Sequence, residues 1–169
     1  MPNIIEWTDA PQMSIGAPMP EIRKLAGSAI YLAYITDESD NKYLDYIEGK
    51  SESEYNEDVD EFAVVRFIAP IHHTYGYPND EGLRQHPLYA FGLERYAFNV
   101  IEGSPTVAAL SKKDASNFDG DTENGLRIQH WVVTFKDDTL EIVAESVTYL
   151  GTVSAKNGNE AIDHFVSAV

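Results

Sequence analysis

The chain has 169 residues, no cysteine, and 12 Lys plus Arg against 28 Asp plus Glu, for a formal net charge of -16. The length fits a single domain over 1–169 that buries about 70% of its unfolded surface, and the absence of cysteine excludes disulfide staples, thiolate metal sites and thiol nucleophiles. A polyanion has no counterion-release drive toward phosphate backbones or anionic lipid, so no nucleic acid and no membrane partner is expected.

The lead from 1 to 26 is punctuated by Pro11, Gly16, Pro18 and Pro20 and reads as an extended N-terminal arm. It has no cationic start followed by an apolar run, so no secretory signal is read there. No window reaches membrane-spanning length, and a cytoplasmic location is the natural expectation.

SAIYLAYIT, 28–36, alternates Ile30, Leu32 and Tyr34 on one face and predicts a strand. Residues 37–61 carry eleven carboxylates against Lys42 and Lys50; a like-charged run of this kind reads as an acidic loop. Its spacing does not fit a calcium-binding EF-hand loop with a central glycine. FAVVRFIAPI, 62–71, is a second strand that Pro70 ends.

HHTYGYPNDEGLRQHPLY, 72–89, holds three of the five histidines and has neither helical nor strand periodicity. Asn79 is placed to cap one helical turn, and His86 through Gly92 reads as a second turn that starts at proline and stops at glycine. Imidazole with carboxylate suits transition metals, but no pair here has the spacing that puts two ligands on one helix face. No metal ligand is assigned and no cofactor is expected.

ERYAFNVIEG, 94–103, predicts a third strand, and Ser104-Pro105 predicts a helix running to about residue 115. The run 116–125 is turn chemistry. LRIQHWVVTFKD and DTLEIVAESVTYLG form a hairpin. With a two-residue turn at Asp137-Asp138, Phe135 faces Leu140, Val133 faces Ile142 and Trp131 faces Ala144 on the core side. The other side then pairs Thr134 with Glu141, Val132 with Val143 and His130 with Glu145, and a one-residue slip would undo that pairing. Asn159 is placed to cap a final helix through Ile162, Phe165, Val166 and Val169.

The order of elements lacks the βα alternation of a parallel doubly wound fold. It predicts an α+β domain: a mainly antiparallel sheet of about five strands, with one or two helices packed on one face. The bare edge of such a sheet is compatible with a homodimer.

Two blocks, YGYPNDEGLRQHPLYAFGL (75–93) and HWVVTFKDDTLEIVAE (130–145), resemble a group of uncharacterised bacterial proteins that share P-N-D-E-x-L-x-x-H-P-L-Y and H-x-x-x-T-F-x-D-x-T-x-E-x-x-A patterns. The resemblance spans about half the chain. It implies that the two blocks belong to one design and implies no activity. Where the group tends to have His after T-F, this chain has Lys136.

Two functions follow as expectations, with a metal-binding domain as a third. One is a non-catalytic domain that binds a small ligand or a basic protein partner. The alternative is a hydrolase or isomerase using His and carboxylate, its pocket formed by 72–89 and the 126–149 hairpin. The candidate ligand-binding residues are His73, Tyr75, Asp80, Glu81, His86, Tyr89, His130 and Glu145; no residue is assigned as catalytic.

Overall fold

A computed structural model describes residues 1–25, 29–50, 55–113 and 128–166. It is an α+β structure with nine strands among those residues, β1 (Asn3–Glu6), β2 (Glu21–Leu25), β3 (Ala29–Ile35), β4 (Asp60–Ile68), β5 (His72–Gly76), β6 (Phe98–Glu102), β7 (Gln129–Thr134), β8 (Thr139–Ala144) and β9 (Ser146–Ala155). Three α-helices accompany them, α1 (Asp37–Ile47), α2 (Pro105–Lys113) and α3 (Gly158–Val166). No described helix is long and apolar enough to cross a membrane.

Where the sequence reading has one sheet of about five strands, the structure has two: β1-β6-β7-β8-β5 and β2-β3-β4-β9. The chain divides into two compact units, 1–7 with 67–147 and 8–66 with 148–169. The run read as one strand, DTLEIVAESVTYLG, is in fact β8 and β9, which lie in different sheets. The apolar parity shifts across Glu145, from Leu140, Ile142 and Ala144 to Val147 and Tyr149, but such a shift marks a break in the strand and not a change of sheet, because a period of two is the same whichever partner is chosen.

Three further local readings are corrected. The N-terminal lead contributes two strands, β1 against β6 and β2 against β3; Pro11, Pro18 and Pro20 fall between those strands, where no ladder donor is lost. The acidic run is helical over 37–47. Asp37, Glu38 and Asp40 occupy the first turn of α1, where the helix dipole favours carboxylates, so the same charges that repel one another also start a helix. The 72–76 stretch is a strand, β5, because β8 offers it an edge that no local pattern announces.

Other local readings hold. Ser104 Oγ accepts the Val107 N–H at the start of α2, Asn79 Oδ1 accepts the Gly82 N–H, and Gly92, at φ 100°, stops the 3-10 turn Tyr89–Phe91 in a left-handed conformation that glycine adopts without cost. The final helix is capped by Asn157, whose Oδ1 accepts the Glu160 N–H, rather than by Asn159. The predicted end of α2 beyond 113 and the 116–125 turn run lie outside the described residues.

In the four-stranded unit, α3 packs on its sheet through Ala161 and Ile162 against Tyr31, Ala33, Ile35, Phe62 and Val64. In the five-stranded unit, Trp131 is fully buried and meets Phe67 edge-on at 5.6 Å, while Leu83, Leu88 and Leu93 pack on Ile101 and Val132 of the opposite sheet face.

Candidate functional site

The register of the β7–β8 hairpin decides which carboxylate His130 meets. Thr134 pairs with Thr139, Val132 with Glu141 and His130 with Val143, and Phe135 N–H closes the loop onto Asp138 O at 2.9 Å. The connection is therefore four residues, 135–138, and the register differs by two from the one expected of a two-residue turn. A slip of two keeps every side chain on its face, so Trp131, Val133, Leu140 and Ile142 remain core. The predicted His130–Glu145 pair does not form. His130 instead lies diagonal to Glu141 on one face, and Glu145 is exposed beyond the end of β8.

The 72–93 segment folds over that face. Thr139 Oγ1 donates to Pro78 O at 2.7 Å, Asp80 N–H donates to Lys136 O at 2.8 Å, and the three leucines seal the segment onto Val132 and Ile101. His86 is thereby carried to the hairpin. Its Nε2 lies 3.1 Å from Glu141 Oε1, and its Nδ1 accepts the Leu88 N–H at 3.1 Å. With Nδ1 occupied as an acceptor, the neutral ring carries its proton on Nε2 and donates to the carboxylate.

His130 Nε2 stands 3.5 Å from the same oxygen, at ion-pair range but without hydrogen-bond geometry. Its Nδ1 is 2.7 Å from Ser104 Oγ. Ser104, His130, Glu141 and His86 thus form one continuous polar chain. The imidazoles of His130 and then His86 hold the Glu141 carboxyl down to about 2, against the opposing pull of its own burial. His130 is 1% exposed and Ser104 7%, so the chain lies inside the fold.

A second group faces solvent. Asp80, Glu81, Arg84, Arg95 and Tyr96 line a depression of about 450 Å³. The Tyr96 hydroxyl donates a short hydrogen bond to Asp80. That bond pushes the phenol up to about 12 and draws the Asp80 carboxyl below its usual range. Arg84 and Arg95 close no ion pair among the described residues.

The wall that carries Arg95 and Tyr96 is a corner tied from below by two buried polar side chains. Thr134 Oγ1 donates to Glu94 O at 2.8 Å and accepts the Ala97 N–H at 3.1 Å. Asn99 Oδ1 accepts the Glu94 N–H at 3.0 Å, and its Nδ2 donates to Val132 O at 3.0 Å. The corner holds Tyr96 at φ 54°, a left-handed conformation that costs a bulky residue free energy on the order of 1–3 kcal/mol.

Of the predicted residues, His86 and His130 meet at Glu141, while Asp80 and Glu81 meet at the depression. The others are elsewhere. His73 and Tyr75 pair with Ile142 and Leu140 and so lie on the face opposite Glu141; the Tyr75 hydroxyl reaches Asp138 at 2.9 Å. Tyr89 sits in its exposed 3-10 turn. Sequence reasoning missed Glu141, Arg84, Arg95 and Tyr96 as site residues, and took Ser104 only as a cap. Glu141 was within reach, since it shares residue parity with the expected partner Glu145; nothing local to 94–97 announces the corner. Among the described residues no group of three or more His, Asp or Glu is placed to hold a metal ion.

No family model, no curated protein and no solved structure matches this chain.

Proposed function

We propose that this protein binds a small zwitterionic ligand, an amino acid or a short peptide, in the depression bounded by Arg84, Arg95, Tyr96, Asp80 and Glu81. The observation that carries the reading is two guanidinium groups that close no ion pair among the described residues and that line one concavity with two carboxylates. A guanidinium fork suits a carboxylate, and Glu81 with Asp80 suits an ammonium group. A zwitterion enters the field of a chain of net charge -16 without the repulsion that a simple anion meets. The left-handed Tyr96 supports the same reading, because strained backbone held by buried Asn99 and Thr134 is a common mark of a pre-formed site.

The test is calorimetry and thermal shift with the twenty amino acids and a dipeptide set. Binding raises the melting temperature of the wild type, and Arg84→Gln and Arg95→Gln each weaken it at least tenfold. Absence of any shift across the set at millimolar ligand would overturn the proposal.

The Ser104–His130–Glu141 chain favours a second reading, a serine hydrolase in which His130 would take the Ser104 proton. Against it, Ser104 is buried and its oxygen also accepts the Val107 N–H. Labelling of Ser104 by a fluorophosphonate, absent from Ser104→Ala, would revive this reading; an unlabelled wild type ends it.

A further inference from the structure

Helix α1 is anchored at its start and by Lys42 on Glu61, and its residues from 41 to 47 are exposed. Ser39 Oγ donates to Asp60 at 2.8 Å, and Ser14 Oγ donates to Asp40 at 2.9 Å; Ser39 is the helix's buried residue. Tyr43, Tyr46 and Ile47 continue the side of the helix that Ser39 begins, at three- and four-residue spacing, with Leu44 beside them. All four are exposed, at 49, 47, 55 and 47% respectively. Tyr55 stacks on Tyr46 with ring centroids 4.7 Å apart and stands 5.9 Å from Tyr43, widening the apolar face instead of covering it. Contiguous apolar surface rich in tyrosine is the composition of an interface rather than of a solvated helix.

The border of this face is negative. Asp37 is exposed at the start of α1, on the side of the helix that Leu44 continues, and Asp60 with Glu57 acts on the Tyr55 hydroxyl from the next segment. The two lysines of the region are already engaged: Lys42 lies 2.8 Å from Glu61, and Lys50 lies on Glu48. A second copy of the chain would bring the same acidic border against itself. A cationic amphipathic segment would meet apolar surface at the centre and opposite charge at the edge.

We infer that the exposed face of α1, Tyr43, Leu44, Tyr46 and Ile47 with Tyr55, is a docking surface for a basic amphipathic segment of a partner protein. This inference is independent of the ligand proposed for the depression.

The experiment uses the full chain and two synthetic 16-residue helices with the same leucine face, one carrying Lys and one carrying Glu at every polar position. Titration followed by fluorescence anisotropy, with backbone amide shifts recorded by NMR, reads both affinity and place. The Lys peptide is expected to bind, to shift the amides of 37–50, and to weaken at least tenfold against Leu44→Ser/Ile47→Ser, a variant that keeps every charge. The Glu peptide is expected not to bind. Equal binding to that variant means attraction to net charge alone and overturns the inference. So does a wild-type dimer in sedimentation that the variant dissociates, because a second copy would then cover the face. If circular dichroism shows α1 lost in the double variant, Tyr46→Ser carries the same comparison.

Discussion

Two polar stretches of this chain, 37–50 and 72–93, pose the same difficulty in sequence and end in opposite states. Both are rich in charge and tyrosine, and both connect strands. The 72–93 segment is fastened to a sheet face by Thr139, by the Lys136 carbonyl, by three buried leucines and by His86 on Glu141. The 37–50 segment carries a helix held at its first turn and by Lys42 on Glu61, and its last two turns are exposed. Polarity of composition therefore does not decide whether a segment is packed. The number of its groups that find buried partners does, since each unpartnered polar group that goes inside costs free energy.

Substitutions can break or sharpen that contrast. The largest effect is expected at Leu83→Ala, which empties a site 1% exposed and should lower stability by about 2–4 kcal/mol. Ile47→Ala on α1 should change it by less than about 0.5 kcal/mol. Urea midpoints of the two variants compare the segments directly, and equal losses would erase the distinction drawn here.

Glu141→Gln comes next, on the order of 2–3 kcal/mol at pH 7, because the carboxylate that two imidazoles share becomes a neutral amide. Its pH dependence has a definite sign. The folded carboxyl is depressed from 4.5 to about 2, so its contribution is fully present above pH 4.5 and is lost as pH falls toward 2. Urea unfolding at pH 7, 4.5, 3 and 2 should show the wild type converging on the variant across that lower window. A difference that persists undiminished at pH 2 would falsify the assignment.

Thr134→Val should cost about 1–3 kcal/mol, since it takes the acceptor from the Ala97 N–H and one of two donors from the Glu94 carbonyl, which keeps Asn99 Nδ2, beneath the Arg95–Tyr96 corner. It should also weaken any ligand of the depression, which calorimetry reads independently of stability. The smallest effect is expected at Arg84→Gln. The side chain is exposed and closes no ion pair among the described residues, so the unfolding midpoint should stay within about 0.5 kcal/mol of the wild type while ligand affinity falls.

Much of the local structure was legible in the residues. Ser104, Asn79 and Gly92 announce their turns because capping and left-handed φ are decided within three or four residues. The core face of the hairpin was legible because parity survives a register slip of two. Parity put Glu141 on the His130 face, but their meeting was not legible, because it depends on whether the loop has two residues or four, and Asp137-Asp138 does not discriminate between them. Arg95 and Tyr96 were hidden for a similar reason: Thr134 and Asn99, which hold their corner, are distant from it along the chain or on the following strand.

What the sequence determined by itself was the α+β class, the caps at Ser104 and Asn79, the core face of the hairpin and the acidic character, all properties of neighbours in the chain or of its totals. Only the tertiary structure decided that there are two sheets, that β8 and β9 part at Glu145, and that His86 and His130 converge on Glu141. Each of these is a pairing of segments distant in sequence, set by which edge and which buried partner are in reach, and a pattern of period two or 3.6 is the same whichever partner is chosen.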